Sequence, residues 1–283
     1  MKRFKALPLL LLMLLPLSFI LGFGYARRHE SAAPSIIFSD DEITVCDVSG
    51  KPSPFAEVDR EWALLGEDEV FDQRYSVIEG VVTSFSDVDV AYRSSNGEEA
   101  HSYETLMTVM VTQVIRDDTG IAAGDPVRVG IPYNSWTYDE ALPRLSEGLE
   151  VVAFCYHCND FKDDPETDWI QHCKYVDYWV YAPFELFLQK VDDSFLLYKP
   201  SYFADKIGNP LPPMVEPAGT EEDYDDWFTE RMTEFSGTEY EAVLQALSDR
   251  SGRITSYTLG MCRTVQKTEL LRMIENGFSE GSE

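Results

Sequence analysis

The sequence predicts an α+β protein, with an antiparallel β-barrel or sandwich in the middle of the chain and a small α-helical C-terminal region after it. Three observations predict this. From Tyr75 the hydrophobic residues alternate with a period of two; helical periodicity returns only after the Pro-rich stretch NPLPPMVEPAG at 209–219; and no helices alternate with the strand-like segments, as a parallel α/β sheet would require. With 283 residues, 44% hydrophobic and 13% aromatic, the chain carries enough apolar surface to bury a core.

The first 26 residues stand apart. Lys2, Arg3 and Lys5 precede the run LPLLLLMLLPLSFILGFGY, close to the length that crosses a bilayer. The pattern predicts an export signal. It is either cleaved, with GYA at 24–26 a loose small-x-small site, or kept as an N-terminal membrane anchor. In both cases the basic end stays in the cytoplasm, so the bulk of the chain is expected to be secreted or anchored to the cell membrane facing outward. Residues 27–74 then predict a polar tether containing Pro34 and Pro52, followed by one short amphipathic helix. Ser53 caps that helix, Pro54 takes its first position, Phe55, Val58, Trp62 and Leu65 share a face, and Gly66 ends it.

Residues 75–208 hold the strand candidates: YSVIEGVVTSF, ETLMTVMVTQVI, DPVRVGIPYN, LEVVAFCYHC and the long run YVDYWVYAPFELFLQKVDDSFLLYKP. Turn-rich pieces separate them, among them RSSNGEEAHS, RDDTGIAAGD and PRLSEG. Gly124 and Gly148 each sit between a polar loop and a strand, where a residue that tolerates positive φ lets the chain turn before pairing begins. Residues 209–283 read as a linker and helices. Thr220 with Asp223 and Thr238 with Glu241 form capping boxes, Gly237 stops the first helix, and KTELLRMIENG repeats the scheme. The apolar stripes of these helices, backed by acidic faces, are expected to pack against the strands or each other.

Removing residues 1–26 leaves 20 Lys plus Arg against 50 Asp plus Glu, a net charge of about −30. A phosphate backbone is held by clustered Lys and Arg, so nucleic acid is excluded as a partner. Membrane contact is expected only through the N-terminal segment. No G-x-S-x-G, P-loop, HExxH or G-x-G-x-x-G pattern is present, and with four His in all no catalytic residue is nominated and no cofactor or metal is expected.

The order of the strand segments resembles the OB-like (netrin-like) β-barrel domain of exported bacterial proteins of unknown function. The residues that carry the likeness are Gly80 inside the first strand, the acidic turn RDDTG after the second, Gly124 and Asp125 opening the third, and Gly148 ahead of the fourth with its Phe154. The likeness covers about residues 75–200, less than half of the chain. It implies a fold, one that hosts many binding roles, and implies no activity.

Cys155 and Cys158 in LEVVAFCYHC admit three chemistries. A thioredoxin-like redox pair matches CxxC after an apolar strand, but the following NDFKDDPETDW is acidic, which disfavours a thiolate, and Pro165 interrupts a helix. A metal site would draw on Cys155, Cys158, His172 and Cys173, with His157 in reserve, yet adjacent His172 and Cys173 make a poor zinc knuckle. The third reading is structural. On a strand, Cys155 and Cys158 fall on opposite faces, and Cys158 bridges to Cys173 across 14 intervening residues, worth roughly 3 kcal/mol in the chain-entropy account. Cys155 is then a buried thiol, and Cys46 with Cys262 is a second possible bridge, leaving one of five cysteines unpaired.

Two further leads are weaker. The acids of DFKDDPETDW (Asp160, Asp163, Asp164, Glu166, Asp168) lack the Gly and terminal Glu of an EF-hand loop and read as a solvated excursion. Tyr133, Trp136 and Tyr138 put aromatic rings in or beside a loop, where they either fold over the end of the barrel or grip a sugar or peptide. The resulting expectation is a non-catalytic binding or scaffold module at the cell surface, whose partner is an extracellular protein, peptide or glycan. The alternative is a thiol-disulfide oxidoreductase using Cys155 and Cys158.

Overall fold

The structure is a computed structural model that describes residues 35–51, 71, 75–94, 96–132, 134, 145–158, 172–180, 187–197, 209–210, 221–238, 240–251 and 263–276. The segment expected to be an export signal, the helix expected at 53–66, Tyr133, Trp136, Tyr138, the acidic stretch at 160–168 and Cys262 lie outside the described residues. The chain divides into two units, residues 1–36 and 37–283, and all packing reported below belongs to the second.

The strands in chain order are β1 (Ser35–Ser39), β2 (Ile43–Asp47), β3 (Ser76–Arg93), β4 (Glu99–Arg116), β5 (Pro126–Ile131), β6 (Glu150–His157), β7 (Tyr178–Trp179), β8 (Phe187–Val191), β9 (Ser194–Leu197), β10 (Asn209–Pro210) and β11 (Arg263–Gln266). The helices are α1 (Glu221–Phe235), α2 (Glu241–Ser251) and α3 (Lys267–Asn276). The fold is α+β, mostly sheet with a few helices. Two strands form in the stretch that reads as a tether, and β10 and β11 join the sheet from the stretch that reads as linker and helices.

The frame is the hairpin of β3 and β4, 18 residues each. Its first half and its second half do different jobs. Residues Ser76–Val81 of β3 pair with β6, and residues Val88–Tyr92 pair with β2, while β4 runs alongside throughout. Three register shifts fall between Val77 and Ser84, and bulges of this kind sharpen the local twist. Gly80 sits among them, where an added Cβ would lie 2.5 Å from Val109 Cγ1 and 2.6 Å from the Met110 carbonyl oxygen. Only glycine fits that approach.

The sheet is mixed, which corrects the expectation of an antiparallel one. β3 pairs with β4, β4 with β5, β5 with β7, β7 with β6, and β6 with β3, so five strands are linked in a circuit. An odd circuit cannot be antiparallel at every step. The parallel pair is β5 with β7, Val129 opposite Tyr178 and Gly130 opposite Trp179. Gly124 and Gly148 do turn at positive φ, +97° and +89°. Each pairs at once: Gly124 N–H donates to the Val111 carbonyl and Gly148 N–H to the Val82 carbonyl, both at 2.8 Å.

Three apolar clusters result. The main one gathers Val77, Ile78 and Val82 of β3, Met107, Val109 and Val111 of β4, Val127, Val129 and Ile131 of β5, and every residue from Val151 to Cys155. The run VVAFC is buried on both faces because Leu270, Met273 and Ile274 of α3, with Phe195 and Val265, join the same cluster. A second cluster packs α1 and α2 onto Val191 and Leu196. A third, built from Ile43 and Val45 of β2, Val88 and Val90 of β3, Cys158, Tyr175, Val176 and Trp179, carries the site described next.

Gly237 ends α1 at φ +75°. At the start of α2, Thr238 Oγ1 accepts from Tyr240 N–H at 3.3 Å, and the Glu241 carboxylate accepts from Gly237 N–H at 2.6 Å. The Thr238–Glu241 pair thus caps the helix, with the glutamate reaching one residue further back than a capping box has it.

Candidate functional site

The site lies where the turn at 172–177 folds onto the distal half of the β3–β4 hairpin. The turn is tied down at its Asp177 end by two backbone bonds: Cys158 N–H donates to the Asp177 carbonyl at 3.0 Å, and Asp177 N–H to the Arg128 carbonyl at 2.9 Å. The Asp177 carboxylate in turn accepts from Arg128 N–H at 2.9 Å and from its guanidinium at 2.8 and 3.2 Å. Burial acts to raise the Asp177 carboxyl, but the Arg128 bonds outweigh it and hold it below the usual range. On the outer side Lys174 Nζ bridges Asp40 at 2.8 Å and Glu42 at 2.5 Å. That ammonium, with help from backbone N–H donors, holds the Asp40 carboxyl down at about 2.

Inside the turn a carboxylate, an imidazole and a phenol meet. Glu104, opposite Val88 in the β3–β4 ladder, turns its side chain into the third cluster. Its Oε1 lies 2.8 Å from His172 Nδ1, and the Tyr175 hydroxyl donates to its Oε2. His172 Nδ1 is also 2.7 Å from the Tyr175 hydroxyl, which closes the triangle. All three residues are buried. Aromatic rings wall them in: Tyr92 lies 5.3 Å and Trp179 5.6 Å from His172, both edge-on, and Phe38 lies 6.5 Å from Tyr175. Burial first and the Glu104 charge second push the Tyr175 hydroxyl well above its ordinary range. Both carboxylate oxygens are spent on these internal bonds. The triangle therefore fixes the turn against β4.

Two thiols border the triangle. Cys173 Sγ donates to the Cys158 carbonyl at 3.5 Å. The neighbouring Cys173 thiol, and then burial, pushes the Cys158 thiol far up. The structure thus brings Cys158 and Cys173 together, and holds both as thiols. Cys155, by contrast, belongs to the main cluster, fully buried, while Cys158 belongs to the third. Burial, then the nearby Asp117 charge, pushes the Cys155 thiol well up. Asp117 itself is bonded to Thr119 and to the Tyr178 hydroxyl, the latter at 3.0 Å.

The four candidate metal ligands are not gathered, since Cys155 sits in a different cluster from Cys158, Cys173 and His172. His157 stacks edge-on against Tyr178 at 5.0 Å. Among the described residues no group of three or more His, Cys, Asp or Glu is arranged to hold a metal ion. Cys46 is a half-buried thiol on β2. Sequence reasoning missed Glu104, Tyr175 and Trp179. The signal for the last two was the aromatic density of YVDYWVY at 175–181, which a single amphipathic strand does not need.

A groove of about 820 Å³ opens elsewhere, lined by Phe85, Leu145, Leu149, Val191, Ala242 and Ala246 among others. Compared with protein-family models, with curated proteins and with solved structures, the chain has no match.

Proposed function

We propose that the chain is an exported or membrane-tethered, non-catalytic binding module built on an OB-like barrel, and that its ligand is an extracellular protein, peptide or glycan. The observation that carries this reading is the five-strand circuit β3–β4–β5–β7–β6 with its one parallel pair. An OB-like barrel has this strand order, and such barrels bind on the face of their second and third strands and the loops beside it. Here those strands are β4 and β5, flanked by the connections at 94–98 and 158–177. Thr108 and Met110 of β4 and Arg128 of β5 stay partly or fully exposed, while Met107, Val109, Val127 and Val129 are buried. Alternation of this kind gives β4 and β5 one face for the core and one for a partner.

Three further facts support the reading. The basic start and apolar run at 1–26 support export. The acid excess disfavours a phosphate backbone and favours a neutral or cationic ligand. The pushed-up Cys155 thiol, in a different apolar cluster from Cys158, disfavours redox catalysis by that pair.

The test pairs a binding assay with a turnover assay on the full-length protein. Arrays of neutral oligosaccharides and of neutral and basic extended peptides are expected to show capture that Thr108→Trp abolishes without changing the melting temperature, and that Cys155→Ser leaves intact. Catalytic reduction of insulin disulfides that disappears in Cys155→Ser would overturn the proposal in favour of an oxidoreductase.

A further inference from the structure

We infer that Cys158 and Cys173 are a reversible dithiol–disulfide pair in which Cys173 is the entry thiol and Cys158 the resolving one. This inference is independent of the binding role proposed above. It stands on placement and access. Cys158 closes β6, held there by its backbone bond to Asp177, and is 5% exposed; Cys173 lies in the facing turn, is half-buried, and donates to the Cys158 carbonyl at 3.5 Å. The Cys173 sulfur thus lies against the Cys158 residue, whose thiol it raises. An incoming disulfide can reach Cys173 and cannot reach Cys158 first.

Access also sets the order of bonds. The Cys173 thiolate attacks a disulfide R–S–S–R, forming a Cys173–S–SR mixed disulfide and releasing RSH after proton uptake. The Cys158 thiol then loses its proton and attacks Cys173 Sγ, which breaks the bond to the second R–S group and releases another RSH. Two protein thiols have lost two electrons and two protons, which the oxidant, a disulfide of low molecular weight or of an exchange protein, has taken up. Cys155, fully buried in the main cluster, takes no part.

The product would lock the turn carrying His172, Lys174 and Tyr175 against the end of β6, beside the β4–β5 face. An exported chain meets oxidants of this class, so the bond is one it can form and lose.

The test treats the reduced full-length protein with oxidised glutathione and maps every cysteine by peptide mass. Wild type is expected to yield linked Cys158 and Cys173 peptides without retained glutathione, reversed by dithiothreitol, with a higher melting temperature in the linked form. Cys158→Ser is expected to trap glutathione on Cys173, and Cys158→Ala replaces it if serine at that buried position unfolds the chain. Cys173→Ser is expected to leave Cys158 unmodified. Glutathione retained on wild-type Cys173, no oxidation of the pair, a link to Cys155, or modification of Cys158 in Cys173→Ser at the wild-type rate would each overturn the inference.

Discussion

Glu104 Oε1 and His172 Nδ1 meet 2.8 Å apart with their side chains 2% and 6% exposed, so a carboxylate from β4 and an imidazole from the turn before β7 are sealed together away from water. Removing one partner leaves the other buried without its main bond. Glu104→Ala is expected to cost about 3–5 kcal/mol, whereas Glu104→Leu combined with His172→Leu, which removes both polar groups, costs much less. Urea unfolding of the three proteins measures this. A loss under about 1 kcal/mol in Glu104→Ala would mean that the triangle does not hold the turn.

Gly130 and Gly148 are expected to resist alanine for different reasons. A Cβ on Gly130 would lie 2.6–2.8 Å from three ring atoms of Trp179, so the indole must shift, at about 1–3 kcal/mol. At Gly148, with φ +89° and nothing within 4 Å, the cost is in the backbone alone, about 1–2 kcal/mol. Near-ultraviolet circular dichroism separates the two: Gly130→Ala changes the tryptophan bands and Gly148→Ala leaves them as they are.

Acid is expected to destabilise the fold through named carboxylates. Burial acts to raise Glu79, but Lys267 Nζ at 2.5 Å and Lys190 Nζ at 3.2 Å outweigh it and hold the carboxyl below its ordinary range. Asp177 is held low by Arg128, and Asp117 by Thr119 and Ser76. A carboxyl whose folded value is depressed contributes stability that is present above its unfolded value, about 4, and is lost as pH falls through the folded value. Urea midpoints of wild type and Glu79→Gln should therefore converge as pH drops from 7 to 3. Parallel curves would show that Glu79 is not linked to folding.

At high pH the sign reverses. Burial, followed by carboxylates, raises the Tyr175 and Tyr178 hydroxyls, and a group raised in the folded state contributes stability that is present below its unfolded value, about 10 for tyrosine, and lost as pH rises through the folded one. Absorbance of tyrosinate at alkaline pH is expected to show these two hydroxyls ionising only as the fold is lost. Ionisation of all tyrosines before any change in far-ultraviolet circular dichroism would contradict this.

Local alternation made much of β3, β4, β5 and β6 legible, and with them the Gly124 and Gly148 turns and the separation of Cys155 from Cys158. It under-measured β3, whose distal half SDVDVAYR is too polar to read as a core strand until β2 and the 172–177 turn cover it. ITVCD passed as tether because five residues carry too little periodicity, and β11 because its pairing with β9 is a long-range choice. The parallel pair was hidden for the same reason: β5 and β7 become neighbours only when the circuit closes. Glu104 and Tyr175, 71 positions apart, share no local pattern, and a lone glutamate among 50 acids gave no reason to look inward.

The two long strands pass without interruption from the large apolar cluster into the small one. Opening either end therefore loosens hydrogen bonds that the other end depends on, and the two packed regions have no seam at which they can melt one at a time. Amide exchange along Val88–Tyr92 should track that along Ile78–Val82, so what looks in cross-section like two cores behaves as one cooperative element.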